Sequence, residues 1–215
     1  MHEQLQLTAE IAAFSVIMQL LAGIPAGLFL SGPRTFFVKF FDILVTLPIM
    51  FPPMGIGFLL LVLFGKYGII GGILYRSLHV RIIFSFGGLL VAAFTAGFPF
   101  MVKSIQASIR QTGPSLAEAA ATLGKSRLVA LLTVTLPSAR NGILTGILLS
   151  TGRATGEVGI SLMLGGNIIG RTETLSLAIF NAVSEGDYHT AAMLALLLSS
   201  ISLVLMVLLN RFGSD

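Results

Sequence analysis

Four stretches of this chain run for about twenty residues without a charge, and no other feature of the sequence restricts the fold as much. They are 11–33, 43–65, 82–102 and 188–210, closed by Glu10/Arg34, Asp42/Lys66, Arg81/Lys103 and Asp187/Arg211. A hydrocarbon layer about 30 Å thick is crossed by roughly 20 apolar residues, because a helix rises about 1.5 Å per residue. A fifth run, 141–166, is interrupted only by Arg153 and Glu157. The uncharged stretch 128–139 would reach only about 18 Å as a helix, too short to span by itself. The expectation is an all-α polytopic membrane protein: one transmembrane domain over 1–215 with about five transmembrane helices. Charged residues make up only 10% of the chain, against about 25% in soluble domains, and the mean hydropathy is +0.95. Glu3 and Glu10, rather than a basic segment, flank the first run, so it reads as a retained helix and not as a signal peptide.

Five spans place the two termini on opposite sides. One side carries Arg34, Lys39, Lys103, Arg110, Lys125, Arg127, Arg140 and Arg211; the other carries Lys66, Arg76, Arg81 and Arg171. Positive charge accumulates on cytoplasmic loops, which puts residues 103–140 and the C-terminus in the cytoplasm and the N-terminus outside. The net charge of +4 therefore reads as loop charge beside lipid, and no nucleic-acid partner is expected. The chain has no cysteine, and His2, His79 and His189 are scattered. That excludes a disulfide framework and a thiolate site, and leaves no expected metal or cofactor. No G-x-S-x-G or H-E-x-x-H motif and no aspartate pair within a span points to catalysis, so no catalytic residue is assigned.

Inside the runs, Gly23/Gly27, Gly142/Gly146 and Gly152/Gly156 form G-x-x-x-G pairs, which let helix backbones approach closely in lipid. Pro48, Pro52 and Pro53, with Gly55 and Gly57, interrupt the second run; irregular backbone at that depth fits a pathway wall and fits a plain kink equally. Arg153 and Glu157 are four residues apart and share a helix face. Both a gate lining a pathway and a structural pair near the outer end of the helix satisfy the need of intramembrane ions for partners. Gly165, Gly166, Asn167 and Arg171 read either as a turn presenting N–H groups to an anion or as an ordinary loop with a cation. Asp187 and His189 mark the start of the last helix, where an acid suits the dipole.

The loop 103–140 carries the most specific pattern. Ser115 and Glu118 form a capping box after Pro114, and Gly124 suits a helix stop, which predicts a short helix of about two turns. Alone it would be marginal in water, so it must dock on a partner, with Ala119 and Ala120 as a low-profile face. Gly124-Lys125-Ser126 imitates the end of a phosphate-binding loop, but Ala119 stands where that motif needs glycine, so no ATP site is expected.

The full spacing runs Glu118-Ala119-Ala120, three residues, Gly124, nine residues, Val134, one residue, Leu136-Pro137. It resembles the cytoplasmic EAA loop of ABC importer permeases, EAA-x3-G-x9-I-x-LP, with Val134 for the isoleucine. A chance match is on the order of 10⁻⁴ per chain from typical residue frequencies. The stretch from Gly152 through Leu175, continuing to Glu185-Gly186-Asp187, is similar to the permeases of molybdate and tungstate importers. Ser176 stands where that pattern often has proline, and residues 155–159 mix molybdate-type and tungstate-type features.

The resemblance implies a multi-pass plasma (inner) membrane permease that imports a tetrahedral oxyanion, molybdate or tungstate; a sulfate-type permease is the alternative. It implies two cytoplasmic ATPase subunits, an extracytoplasmic oxyanion-binding protein and a coupling role for Ser115, Glu118, Ala119, Ala120, Gly124, Leu136 and Pro137. Five spans seldom enclose a pathway, so a second copy of the chain, with the pathway on the two-fold axis, is expected. Pro52, Pro53, Arg153, Glu157 and Asn167 are the pathway or gate candidates. A self-contained secondary anion carrier would need internal repeats and coupling ions near the bilayer middle; only Arg153 and Glu157 are available.

Overall fold

The computed structural model describes residues 2–122 and 126–213. Every regular element among them is helical: α1 His2–Ser31, α2 Phe36–Met50, α3 Pro53–Phe64, α4 Ile69–Leu78, α5 Phe86–Thr122, α6 Arg127–Ala130, a π-helical turn Leu131–Thr135, α7 Leu136–Ser138, α8 Arg140–Thr155, α9 Gly159–Gly165, α10 Leu175–Glu185 and α11 Tyr188–Gly213. The all-α polytopic class expected from the charge-free runs is what these residues form. Three of the helices are long and apolar enough to cross a membrane, at His2–Ser31, Phe86–Gln111 and Tyr188–Val207.

Two of the five runs are broken. The run 43–65 is not one straight helix: the chain bends by 117° between α2 and α3, which as a pair are apolar and long enough to count as one broken span or as a re-entrant loop. Proline disfavours helical backbone in the residue before it, and Phe51 and Pro52 are accordingly non-helical, with ψ of 148° and 131°. Pro53 then opens α3, a position whose N–H has no helical partner to lose. The run 141–166 divides into α8 and the seven-residue α9, with the chain turning at Gly156.

The short two-turn helix expected at 115–124 is likewise replaced. Residues up to 122 are the end of α5, a single helix of 37 residues that passes through Pro114 without a new start at Ser115. Pro114 forfeits one backbone hydrogen bond and crowds the carbonyl four residues back, a cost of about 3 kcal/mol, yet α5 continues through it, with no new nucleation needed. The charge-free run ends at Lys103, and beyond Gln111 α5 continues for a further eleven residues, about 16 Å. Gly124 lies outside the described residues, and so do the side chains of Ser115, Glu118, Ala119 and Ala120.

The helix α5 is the central post. It packs against α1, α2, α8 and α9, and 56% of its apolar window is buried, against 28% for α1 and 11% for α11. Met101, Ile105 and Ile109 of α5 form one core with Leu20, Ile24 and Leu28 of α1 and Ile143 and Ile147 of α8. A second core, Ile56, Ala92, Ala96, Ile160 and Leu164, ties α3 and α9 to the same post. The ends of the bundle are also sorted. Thr8 accepts a hydrogen bond from the Leu175 N–H at 2.9 Å, and Arg110 donates to the Leu30 carbonyl at 2.8 Å. The start of α1 and the projecting end of α5 therefore lie at opposite ends.

Backbone proximity decides the packing. A Cβ added at Gly23 would stand 2.7 Å from Met101 Cγ, at Gly27 2.6 Å from Ile105 Cγ2, and at Gly146 2.9 Å from Met101 Sδ. Two of the three G-x-x-x-G pairs are thus helix contacts within the chain. Gly152 and Gly156 are not: nothing lies within 4 Å of a Cβ at Gly152, and at Gly156 only the Gly152 carbonyl does, at 3.5 Å. A further tight interhelical site, Gly97, belongs to no pair: a Cβ there would meet the Ser150 carbonyl at 2.7 Å and the Gln19 amide. Gly97→Ala is expected to cost about 1–3 kcal/mol by overpacking, and Gly152→Ala to be neutral or stabilising by up to about 1 kcal/mol. Thermal midpoints of the purified variants in detergent test this, and equal midpoints would refute the account of helix approach.

Candidate functional site

At the end where α5 projects, polar groups bind the root of that arm to α1 and α2. The last carbonyls of a helix have no intrahelical donor, and that of Leu30 accepts from Gln106 Nε2 at 3.0 Å and Arg110 Nη2 at 2.8 Å. Asp42 of α2 accepts from Lys103 Nζ at 2.7 Å and Gln106 Nε2 at 3.1 Å. Lys103, Gln106 and Arg110 recur at helical spacing along one side of α5. These bonds tie this part of α5 to the end of α1 and to α2. Leu136 and Pro137 open α7 directly after the π-helical turn, where the Leu136 N–H bonds five residues back to Leu131. Pro137, lacking an N–H, suits such an opening position.

The opposite half of the bundle holds Arg153 and Glu157. They form an ion pair at 2.5 Å, with the carboxylate side chain 1% exposed and the guanidinium 33% exposed. Glu157 sits at the break between α8 and α9, and its Oε1 also accepts from the Ile160 N–H at 2.8 Å, capping the start of α9. Its own carbonyl accepts from Ser176 Oγ at 3.1 Å, a bond that a proline at 176 could not make. A cavity of about 10 Å³ beside it, bordered by Thr8, Thr155 and Ser161, is the size of one water. The bend at Pro52–Pro53 reaches this region, for a Cβ at Gly159 would lie 3.0 Å from Pro53 Cβ. Four of the five sequence-derived pathway candidates thus converge on the junction of the two broken spans.

Asn167 belongs to a separate network at the end of the bundle that holds the start of α1. With φ of +50°, a conformation asparagine tolerates, it donates through Nδ2 to Asn181 Oδ1 at 2.6 Å. Asn181 donates to Glu173 Oε1 at 2.6 Å and Gln4 donates to Glu173 Oε2 at 2.9 Å. Within this turn the Gly166, Ile168, Arg171 and Thr172 N–H groups all donate to the loop itself or to α9. Asp187 accepts from the Thr190 N–H at 3.0 Å as the cap of α11, and its bonds to Thr190 hold its carboxyl below the usual aspartate range. Among the described residues no group of three His, Asp or Glu side chains could hold a metal.

Several buried polar residues escaped the reading of motifs. Gln19 is fully buried in α1 and donates to the Ala93 carbonyl at 3.1 Å. Glu173 is 7% exposed, and its two carboxylate oxygens accept from the Asn181 and Gln4 amides. The available signal was a lone amide within an apolar run for Gln19; nothing local distinguished Glu173 from a surface loop acid.

Neutralising Arg153 alone, as Arg153→Met, leaves the Glu157 carboxylate buried with a single backbone donor. A loss of about 2 kcal/mol is expected, below that of a fully enclosed pair because the guanidinium is one-third exposed. The double variant Arg153→Met/Glu157→Gln should recover much of it. A double-mutant cycle on thermal stability measures the coupling, and a coupling energy of zero would show that the two charges act independently.

The family described as "Binding-protein-dependent transport system inner membrane component" matches residues 21–214. The chain is 34% identical over 191 residues to the molybdenum transport system permease protein ModB of Azotobacter vinelandii, covering 89% of this chain and 84% of that one. It is 33% identical to the putative molybdenum transport system permease protein YvgM of Bacillus subtilis, over 84% of this chain and 80% of that one. It is also 31% identical to the sulfate transport system permease protein CysW of Synechococcus elongatus, over 97% of this chain and 72% of that one. With a match spanning nearly its whole length and an all-helical fold with three to four membrane spans, this chain belongs to the inner-membrane permease family of binding-protein-dependent ABC transport systems, on the branch that serves molybdate and sulfate.

Proposed function

We propose that this chain is the permease of an importer for molybdate or tungstate, working as a homodimer with two cytoplasmic ATPase subunits and an extracytoplasmic binding protein. The observation that carries the mechanical part is α5: one 37-residue helix that is the core of the bundle and also continues well past Lys103, where its charge-free run ends. Its end, with Ser115, Glu118, Ala119 and Ala120, followed by Gly124, docks in a groove of the ATPase. Leu136 and Pro137 fix the return of the chain to the membrane. ATP-driven closure of the ATPases draws the two arms together, and α5 carries the displacement through Lys103, Gln106 and Arg110 to α1 and α2. The limbs joined at Pro52–Pro53 and at Arg153–Glu157 then reorient about the two-fold axis, a rigid-body alternation that needs no tight site in the membrane.

The arm end is cytoplasmic and the N-terminus faces outward, in keeping with the eight basic residues of the loops on the arm side. ATP is hydrolysed by the partner subunit, since Ala119 removes the glycine that a phosphate-binding loop requires. Molybdate or tungstate is preferred over sulfate as cargo because the fingerprint between Gly152 and Leu175 follows the molybdate and tungstate type. The sulfate reading is kept by the match to a sulfate permease over 97% of this chain.

Reconstitution of the chain with its ATPase and binding protein in proteoliposomes tests the proposal. ATP-dependent uptake of molybdate or tungstate, outcompeting sulfate, is expected; uptake of sulfate only would move the assignment to the sulfate type. Gly124→Leu should leave assembly intact and uncouple ATP hydrolysis from uptake, and unchanged uptake in that variant would remove the coupling role of the loop.

A further inference from the structure

Between α2, α5 and α8, in the half of the bundle that holds the root of the arm, lies a cavity of about 480 Å³. Its polar wall is Lys103, Ser104, Ser108 and Gln111 of α5 with Asn141 and Thr145 of α8, and Ile49 of α2 lies at its edge. Every one of those six polar side chains can donate a hydrogen bond. Among the residues that line it there is one cation, Lys103, and no carboxylate. Asn141 and Thr145 belong to the first two turns of α8, the end of a helix whose dipole favours an anion. The volume has room for many waters. An ion there keeps much of its hydration shell and escapes most of the cost of burying a bare charge.

The single lysine is shared. Lys103 Nζ pairs with Asp42 at 2.7 Å, while Asp42 is also held by Gln106 at 3.1 Å, and Arg110 stands near enough to act on its charge. Asp42 therefore has other donors when Lys103 turns toward the cavity. Both partners are about one-third exposed, so the pair is weak, worth about 1 kcal/mol or less, and an incoming dianion can compete for the ammonium.

We propose that this cavity is a low-affinity transit site for a hydrated tetrahedral oxyanion, with Lys103 as its charged ligand, the α5 and α8 hydroxyls and amides as its donors, and Asp42 as the group that takes Lys103 back when the anion leaves. The proposal rests on the oxyanion-import reading and adds to it a place of binding and a release step. Weak binding follows from function, because an ion in transit must leave as readily as it enters.

Equilibrium dialysis of the permease–ATPase complex in nanodiscs against millimolar molybdate, without binding protein or ATP, measures retention by mass spectrometry. Lys103→Met should lower it about fivefold, the worth of a partly exposed charge contact, and Lys103→Arg should restore most of it. Asp42→Asn removes the competitor and should leave retention unchanged or raise it. A purely structural Asp42–Lys103 pair would instead make both neutralised variants lose retention together, and that result, unchanged retention in Lys103→Met, or no retention by the wild type overturns the site. If Lys103→Met does not assemble, Thr145→Val, which removes a donor and keeps the shape, should lower retention beside a raised or unchanged Asp42→Asn; no change overturns the site. Uptake by the wild-type complex with its binding protein separates the two levels. Import of molybdate without retention in the cavity removes only this site, whereas import of none of molybdate, tungstate or sulfate removes the oxyanion reading itself.

Discussion

The bundle depends on how closely backbones can approach α5. In lipid no hydrophobic force gathers the helices, so contact area and interhelical hydrogen bonds must hold them. Glycines provide the contact: Gly23 and Gly27 of α1 seat on Met101 and Ile105, Gly146 of α8 seats on Met101 from another side, and Gly97 brings α5 against Gln19 and the Ser150 carbonyl. Interhelical hydrogen bonds in membranes average only about 0.6 kcal/mol. The bonds of Gln19 and Gln106 to backbone carbonyls therefore set register more than they supply stability.

The two broken spans give the same bundle its points of compliance. Their second limbs, α3 and α9, pack on each other, with Gly57 against Met163 and Ile160 and Gly159 against Pro53 and Met54. Freed backbone groups at such a break need donors or acceptors, since no water is available in hydrocarbon. At the α8–α9 junction Glu157 supplies one through its carboxylate on Ile160, and Ser176 supplies another on the Glu157 carbonyl. The ion pair with Arg153 holds that carboxylate in place. The pair and the break are thus parts of one device, and the charge is there because the helix ends there.

Polar groups divide between the two ends according to what each end must do. Gln4, Asn167, Glu173 and Asn181 knit the loop after α9 to the start of α1 through amides on one carboxylate, a closed arrangement that holds the loop still. Asp42, Lys103, Gln106 and Arg110 at the other end are half open and share partners, which lets them exchange. The proposed transit site and the transmission of arm movement both use that exchange.

The sequence alone determined the class and the family, because a charge-free run, a motif spacing and a proline pair are legible in local chemistry. A run of twenty apolar residues declares its length against a bilayer wherever it occurs, and Pro52–Pro53 declares a break. Legibility ended where the outcome depended on partners far along the chain. The Gly152/Gly156 pair has the same spacing as Gly142/Gly146, yet only the latter faces α5, since rotation of α8 about its axis is decided by all its neighbours at once. The capping box at Ser115 was a sound local signal, overruled because α5 was already helical when it reached Pro114. The burial of Glu173, the pairing of Lys103 with Asp42 and the cavity between α2, α5 and α8 join residues up to 169 positions apart, and only the packed bundle could bring them together.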